Sequence, residues 1–216
     1  MNKEFARQQM IEQQVRSWDV LSSDVLDGLR RVERELFVPE EYAALAFADA
    51  EIPIGHGEFM MTPTIEGRVL QALELGGNEK VLEIGTGSGF LTACLANASK
   101  HVTSIDIHSD FVESAGWRLA DCGIDNVELI EMDGTQELPA GTFDAIAVTG
   151  SMQTLDSRLT DALNPGGRLF VVVGEAPVMA ATLVTRGSED DWHSEVLFET
   201  DLAALVNAAL PPQFSF

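Results

Sequence analysis

The sequence predicts an α/β fold: a doubly wound, mostly parallel, seven-stranded sheet with an antiparallel C-terminal hairpin and an N-terminal helical cover. Three observations predict it. From Lys80 onward, short apolar runs alternate with segments of helical spacing, the pattern of parallel strands joined by crossover helices. The run Val81-Leu82-Glu83-Ile84 stops in Gly85-Thr86-Gly87-Ser88-Gly89 and resumes as Phe90-Leu91-Thr92-Ala93-Cys94-Leu95-Ala96, which reads as buried strand, tight turn and buried helix. Residues 1–79 carry helical patterns without that alternation.

In the cover, one helix is expected over residues 3–16. A second begins after Ser22 or Ser23, with Asp24 in its first turn and Arg30 and Arg31 in its last, matching the helix dipole. Residues 50–63 read as an irregular loop. Thr62 caps and Pro63 opens the next helix, whose Ile65, Val69, Leu70 and Leu73 face inward before Gly76-Gly77 ends it. The sheet strands are expected at residues 80–84, 101–106, 127–131, 143–149 and 168–174. Ser109 caps a helix with Val112, Ala115 and Leu119 on one face, ended by Gly123. Met152, Leu155, Leu159 and Leu163 mark another amphipathic helix, ended by Asn164-Pro165-Gly166-Gly167. Residues 180–185 and 192–198, with Gly187-Ser188-Glu189-Asp190 between them, form the hairpin. One domain over residues 1–216 is expected, with residues 1–79 as the helical cover and 80–216 as the sheet.

Composition narrows the function. With 13 Lys and Arg against 35 Asp and Glu, the net charge is −22, so a nucleic-acid substrate is not expected. No apolar run is long enough to span a bilayer, and the N-terminus lacks a signal-peptide pattern, which points to the cytoplasm. Cys94 and Cys122 lack metal or redox spacing and read as buried reduced thiols. The four histidines (His56, His101, His108, His193) form no pair at ligand spacing, so no metal is expected.

The glycine turn carries the chemistry. Glycines at alternate positions allow a ligand to lie against bare backbone at the carboxyl end of the first sheet strand. A dinucleotide fingerprint needs its third glycine three positions after the second, whereas Gly89 follows Gly87 by two, and no Gly-Lys-Ser/Thr follows for a triphosphate. Asp106, ending the next strand, stands where an acid accepts ribose hydroxyls. A phosphate-free nucleoside fits best, and S-adenosylmethionine is the common one. Glu83, a carboxylate inside an apolar strand, requires a cationic or hydrogen-bonding partner: the cofactor's ammonium, or a structural group such as the amides of the glycine loop.

Several motifs together resemble the protein-L-isoaspartate O-methyltransferase family, over residues 7–175. They are Glu35-Leu36-Phe37-Val38-Pro39, Ile52-Pro53-Ile54-Gly55-His56-Gly57, Pro63, Val81 to Gly89, and Asp133-Gly134. The resemblance implies a Rossmann-like methyltransferase sheet and carboxyl methylation of isoaspartyl residues in damaged proteins or peptides. It also implies that Gly85, Thr86, Gly87, Ser88 and Gly89 wrap the methionine and ribose of S-adenosylmethionine. Asp106 and Ile107 would then meet the ribose, Asp133 and Gly134 the adenine, with Glu83 and Thr149 completing the site. The acceptor loop would comprise His56, Gly57, Phe59, Met60, Met61 and Thr62.

This chain departs from that family at the loop. Met61 stands where the family places a serine hydroxyl against the acceptor carboxylate, with Glu58 and Phe59 replacing Gln and Thr, and a thioether donates no hydrogen bond. The family's Arg-Phe-Val-Pro-Leu pattern is not evident in residues 195–205. Two other readings therefore stand beside isoaspartyl repair: a methyltransferase of the same fold for a different small acceptor, and a non-catalytic S-adenosylmethionine-binding protein. A carboxylate acceptor is already ionised near neutral pH, so the first reading needs no general base. The oligomeric state is not legible in the sequence.

Overall fold

A computed structural model of the chain describes residues 2–188 and 191–209. The cover begins with α1 (Lys3–Gln9), capped by the Asn2 side chain, which passes into a π-helical turn at Met10–Val15 and a 3₁₀ turn at Arg16–Trp18. The expected helix over 3–16 is thus present but changes its winding at Met10. The wider turn accompanies complete burial of Ile11 and Val15. Ser22 caps α2 (Ser23–Arg31), and the Thr62 hydroxyl accepts from Ile65 N at the start of α3 (Pro63–Leu73).

The segment expected to be irregular contains a small antiparallel hairpin, β1 (Ile52–Gly55) and β2 (Glu58–Met60). His56 and Gly57 both take positive φ, 53° and 82°, as a tight two-residue turn between twisted strands requires.

The main sheet comprises β3 (Lys80–Ile84), β4 (His101–Asp106), β5 (Val127–Glu131), β6 (Phe143–Met152), β7 (Leu163–Glu175), β8 (Val178–Arg186) and β9 (Trp192–Thr200). They lie in the order β5-β4-β3-β6-β7-β8-β9, parallel from β5 to β7 and antiparallel through β8 and β9. Crossovers are α4 (Phe90–Ala98), α5 (Ser109–Asp121) and the short α6 (Ser157–Asp161). The central strands alternate between two cores. Val81, Ala145 and Ala147 face one core, with Ile11, Val15, Leu29 and Leu70 of the cover and Ala93 and Leu95 of α4. Leu82, Ile84, Ile146 and Val148 face the other, with Leu159 of α6.

Three local expectations are corrected. The helix read from Met152 to Leu163 shrinks to α6, capped by Asp156: Met152 is the last residue of β6 and Leu163 the first of β7. Their helical spacing is coincidental, since each is buried from a strand. His108, not Ser109, holds the N-cap position of α5, without a side-chain cap bond. Cys94 is buried as expected, but Cys122 is exposed, because it follows the last turn of α5 instead of lying inside it. Both hairpin strands run longer than expected. Two residues of the turn between them and the aromatic end of the tail, 210–216, lie outside the described residues.

Candidate active site

Strands β3 to β5 step one way along the sheet and β6 to β7 the other, so β3 and β6 flank the switch point where ligands bind in such sheets. A cleft opens there. Its floor is Ile84 and Gly85 from the end of β3 with Thr149 and Gly150 from β6, and Asp106, Ile107 and His108 follow from β4. Met132, Asp133, Gly134 and Thr135 close the β5 side, and Ile54, Glu58 and Phe59 of the β1–β2 hairpin form a wall. Leu202 to Val206 form the remaining wall. That last segment is tied to the end of β6 by Ser151 N to Ala203 O at 2.8 Å and Leu205 N to Ser151 O at 2.9 Å.

The glycine loop is built to present backbone. Gly85, Gly87 and Gly89 have φ of 97°, 50° and 85°, and a Cβ on Gly85 would collide with the Thr149 hydroxyl. Gly85 N and Thr86 N donate to Ile105 O at 2.8 and 3.2 Å, which anchors the loop on β4. Asp106, almost fully buried, accepts from Gly87 N at 2.8 Å on one oxygen and from His108 N at 2.9 Å on the other. Each oxygen keeps acceptor capacity toward the cleft. Asp133 accepts from Thr135 N and Oγ1 at 2.9 and 2.6 Å and from Asn207 Nδ2 at 2.9 Å. Its partial burial pushes the carboxyl up, but the bonds from Thr135 and Asn207 outweigh that and hold it below its ordinary value.

Some expected ligand residues serve the loop itself. Thr86 Oγ1 lies 2.6 Å from Ser104 Oγ, beneath the loop, and Ser88 Oγ accepts from Phe90 N. The Thr149 hydroxyl donates to the carbonyls of Ile84 and Gly85, at 2.9 and 2.8 Å. Glu83 is fully buried, and its partners are the hydroxyls of Thr92 and Ser104, at 2.5 and 2.6 Å on Oε2, not the loop amides. Burial raises its pKa to about 8 against those bonds, and Oε1 has no partner.

A smaller cavity continues inward from the cleft between Phe59, Met60, Met61, Glu66 and the Glu83–Ser88 segment. Phe59 lines both spaces; Met60 and Met61 are buried and line only the inner one. Thr62 lines neither, being occupied as the α3 cap. Gly57 also lines neither space, and His56 turns outward to bond Asp110. The loop is held from behind by Arg34, which is fully buried. It pairs with Glu66, donates to Met61 O at 2.8 Å and to Ala46 O at 3.1 Å, and stacks over Phe90. Sequence reading missed Arg34 and Glu66, which only the fold brings together, and missed Leu202 to Val206, which carry no motif.

The sheet order and the cleft at its switch point define a Rossmann-like methyltransferase fold. Solved structures share it: a protein-L-isoaspartate O-methyltransferase of Plasmodium falciparum in complex with S-adenosyl-L-homocysteine superposes with a TM-score of 0.78 at 22% identity, over 92% of this chain and 97% of that one. The family model for protein-L-isoaspartate(D-aspartate) O-methyltransferase matches residues 5–208, so the similarity runs well past residue 175. Relatives include protein-L-isoaspartate O-methyltransferase 1 of Rhodopseudomonas palustris strain HaA2, 39% identical over 93% of this chain and 82% of the relative. Protein-L-isoaspartate O-methyltransferase 2 of Pelobacter propionicus is 36% identical over 96% and 93%. The chain belongs to the protein-L-isoaspartate O-methyltransferase family.

Proposed function

We propose that this protein is an S-adenosylmethionine-dependent carboxyl O-methyltransferase acting on L-isoaspartyl residues of damaged proteins or peptides. The observation that carries the reading is the bare backbone of Gly85 and Gly87 lining the cleft beside Asp106, in a chain of this family. The residues present fit the cofactor. Asp106 would accept the ribose hydroxyls, Ile107 would pack on the ribose, and Met132 and Gly134 would flank the adenine, with Asp133 oriented by Thr135 and Asn207. Glu83 lines the inner cavity, and its Oε1, unpartnered among the described residues, would face the methionine ammonium. Bound there, S-adenosylmethionine supplies an electrophilic methyl group.

The protein's part is binding, orientation and exclusion of water. Ile54 and Phe59 give the hairpin wall an apolar part beside Glu58, so an acceptor carboxylate held against them would lose water and meet the methyl in one geometry. Alignment of this kind can supply up to about 7–11 kcal/mol of a barrier. Protein or peptide rather than nucleic-acid acceptors are favoured by the net charge of −22, and a cytoplasmic location goes with the reading. No described helix is long and apolar enough to cross a membrane.

A second reading is favoured by two observations. Met61 offers a buried thioether where the family has a hydroxyl, and among the described residues no Lys or Arg lines either space. Both features suit a smaller, less anionic acceptor. Incubation with labelled S-adenosylmethionine and paired isoaspartyl and aspartyl peptides separates the two. Base-labile label on the isoaspartyl peptide alone supports repair. Silence in the wild type restored by Met61→Ser marks a disabled repair site, and silence in both proteins favours another acceptor.

A further inference from the structure

The fold joins two histidines that sequence spacing keeps far apart. His56, at the tip of the β1–β2 hairpin, stacks on His108, just before α5, with ring centroids 4.0 Å apart and an interplanar angle of 11°. Asp110 adds a carboxylate, 2.8 Å from His56 Nε2. Phe111 packs edge-on against both rings, at 5.3 and 5.2 Å. One donor atom from each of His56, His108 and Asp110 lies within 4.8 Å of the others. Nε2 of His108 is buried and has no hydrogen-bond partner among the described residues.

We propose that His56, His108 and Asp110 form a binding site for a divalent transition-metal ion of the zinc type. Two imidazole nitrogens and one carboxylate are the donor set such ions prefer, whereas Mg²⁺ and Ca²⁺ favour all-oxygen shells. Glu58 lies near both imidazoles and adds negative potential, and Asp106 accepts from the His108 backbone N. A buried, unpartnered ring nitrogen is costly unless something occupies it, and a metal ion does so without needing a proton. Stacked with centroids 4.0 Å apart, the two rings hold their in-plane lone pairs in separate parallel planes, while a zinc ion with bonds of about 2.0–2.1 Å needs its ligands to converge, so binding requires one ring to turn. His56 supplies the freedom to converge, because its side chain is 42% exposed at a hairpin tip. Asp110, 63% exposed, can follow it. The bound ion would fasten the acceptor hairpin to the segment that follows Asp106, and so connect the two halves of the cleft. Binding at this site does not depend on methyl transfer, and its test reads no turnover.

The full chain, stripped with a chelator, is titrated with Co²⁺ and followed by its visible d–d absorption, then with Zn²⁺ by calorimetry. Wild type, His56→Ala, Asp110→Asn and the distant control His193→Ala are compared, with a melting curve for each to show that it is folded. The expected result is one ion per chain, Co²⁺ displaced by Zn²⁺, and affinity lowered by about tenfold or more in His56→Ala and Asp110→Asn but unchanged in His193→Ala. Absence of saturable binding by the wild type would overturn the proposal. So would wild-type affinity in folded His56→Ala and Asp110→Asn, which would leave the trio as a hydrogen-bonded pair with a packed imidazole.

Discussion

Glu83 sits fully buried in the central strand with only hydroxyl partners. Its pKa, raised from 4.5 to about 8 by burial, makes the folded state hold a proton that the unfolded chain releases. The sign follows: this contribution to stability is fully present below pH 4.5 and is lost as pH rises through 8. Buried Glu66, pushed up to about 7 against the pull of Arg34, acts in the same sense. The melting temperature is therefore expected to fall between pH 5 and pH 9 along a curve that Glu83→Gln flattens; equal slopes in the two proteins would contradict this. Asp106 is expected to serve twice. Removing a charge-assisted bond costs on the order of 1.5–3 kcal/mol, so Asp106→Ala should weaken S-adenosylhomocysteine binding roughly ten- to hundredfold by calorimetry. It should also lower the melting temperature without ligand, because Gly87 N and His108 N lose their acceptor. The glycine loop and Asp106 were legible in the sequence because their chemistry is local: a turn that needs positive φ and an acid that ends a strand.

The acceptor hairpin depends on partners from distant elements, which is why it was less legible. Its strands are four and three residues long and interrupted by Pro53 and Gly55, so no alternating pattern announces them. Its exit is held from outside, by Arg34, which donates to Met61 O just after β2 and pairs with Glu66 of α3. Breaking a buried ion pair from one side typically costs roughly 3–5 kcal/mol, while replacing both partners by apolar groups is often near neutral. In urea denaturation, Arg34→Met is thus expected to destabilise strongly and Arg34→Met with Glu66→Met to recover most of the loss. Equal losses in both would show that the guanidinium matters for the Met61 carbonyl instead. The helix misread across residues 152–163 has the opposite cause. Strand-end residues fell at helical spacing by chance, and only the neighbouring strands β6 and β7 decide their conformation.

Across the whole molecule, one core reaches from Met10 in the cover to Leu202 beside the cleft. The chain is accordingly expected to behave as one domain, with fluorescence and circular dichroism reporting a single coincident unfolding transition; two separated transitions would divide cover from sheet. The alternation of strand and helix after Lys80 was sufficient to read the sheet, because each crossover is local in sequence. The wall formed by Leu202 to Val206 was not, because its place is set by the parallel bridge between Ala204 and Ser151. Everything proposed for the site depends on the cleft at the switch point accepting an adenosyl ligand. Calorimetric titration of the chain with S-adenosylhomocysteine tests this most directly. One ligand per chain is expected, with stabilisation of about 2.7 kcal/mol at a hundredfold excess over the dissociation constant. No heat of binding and an unmoved melting temperature at millimolar ligand would contradict it.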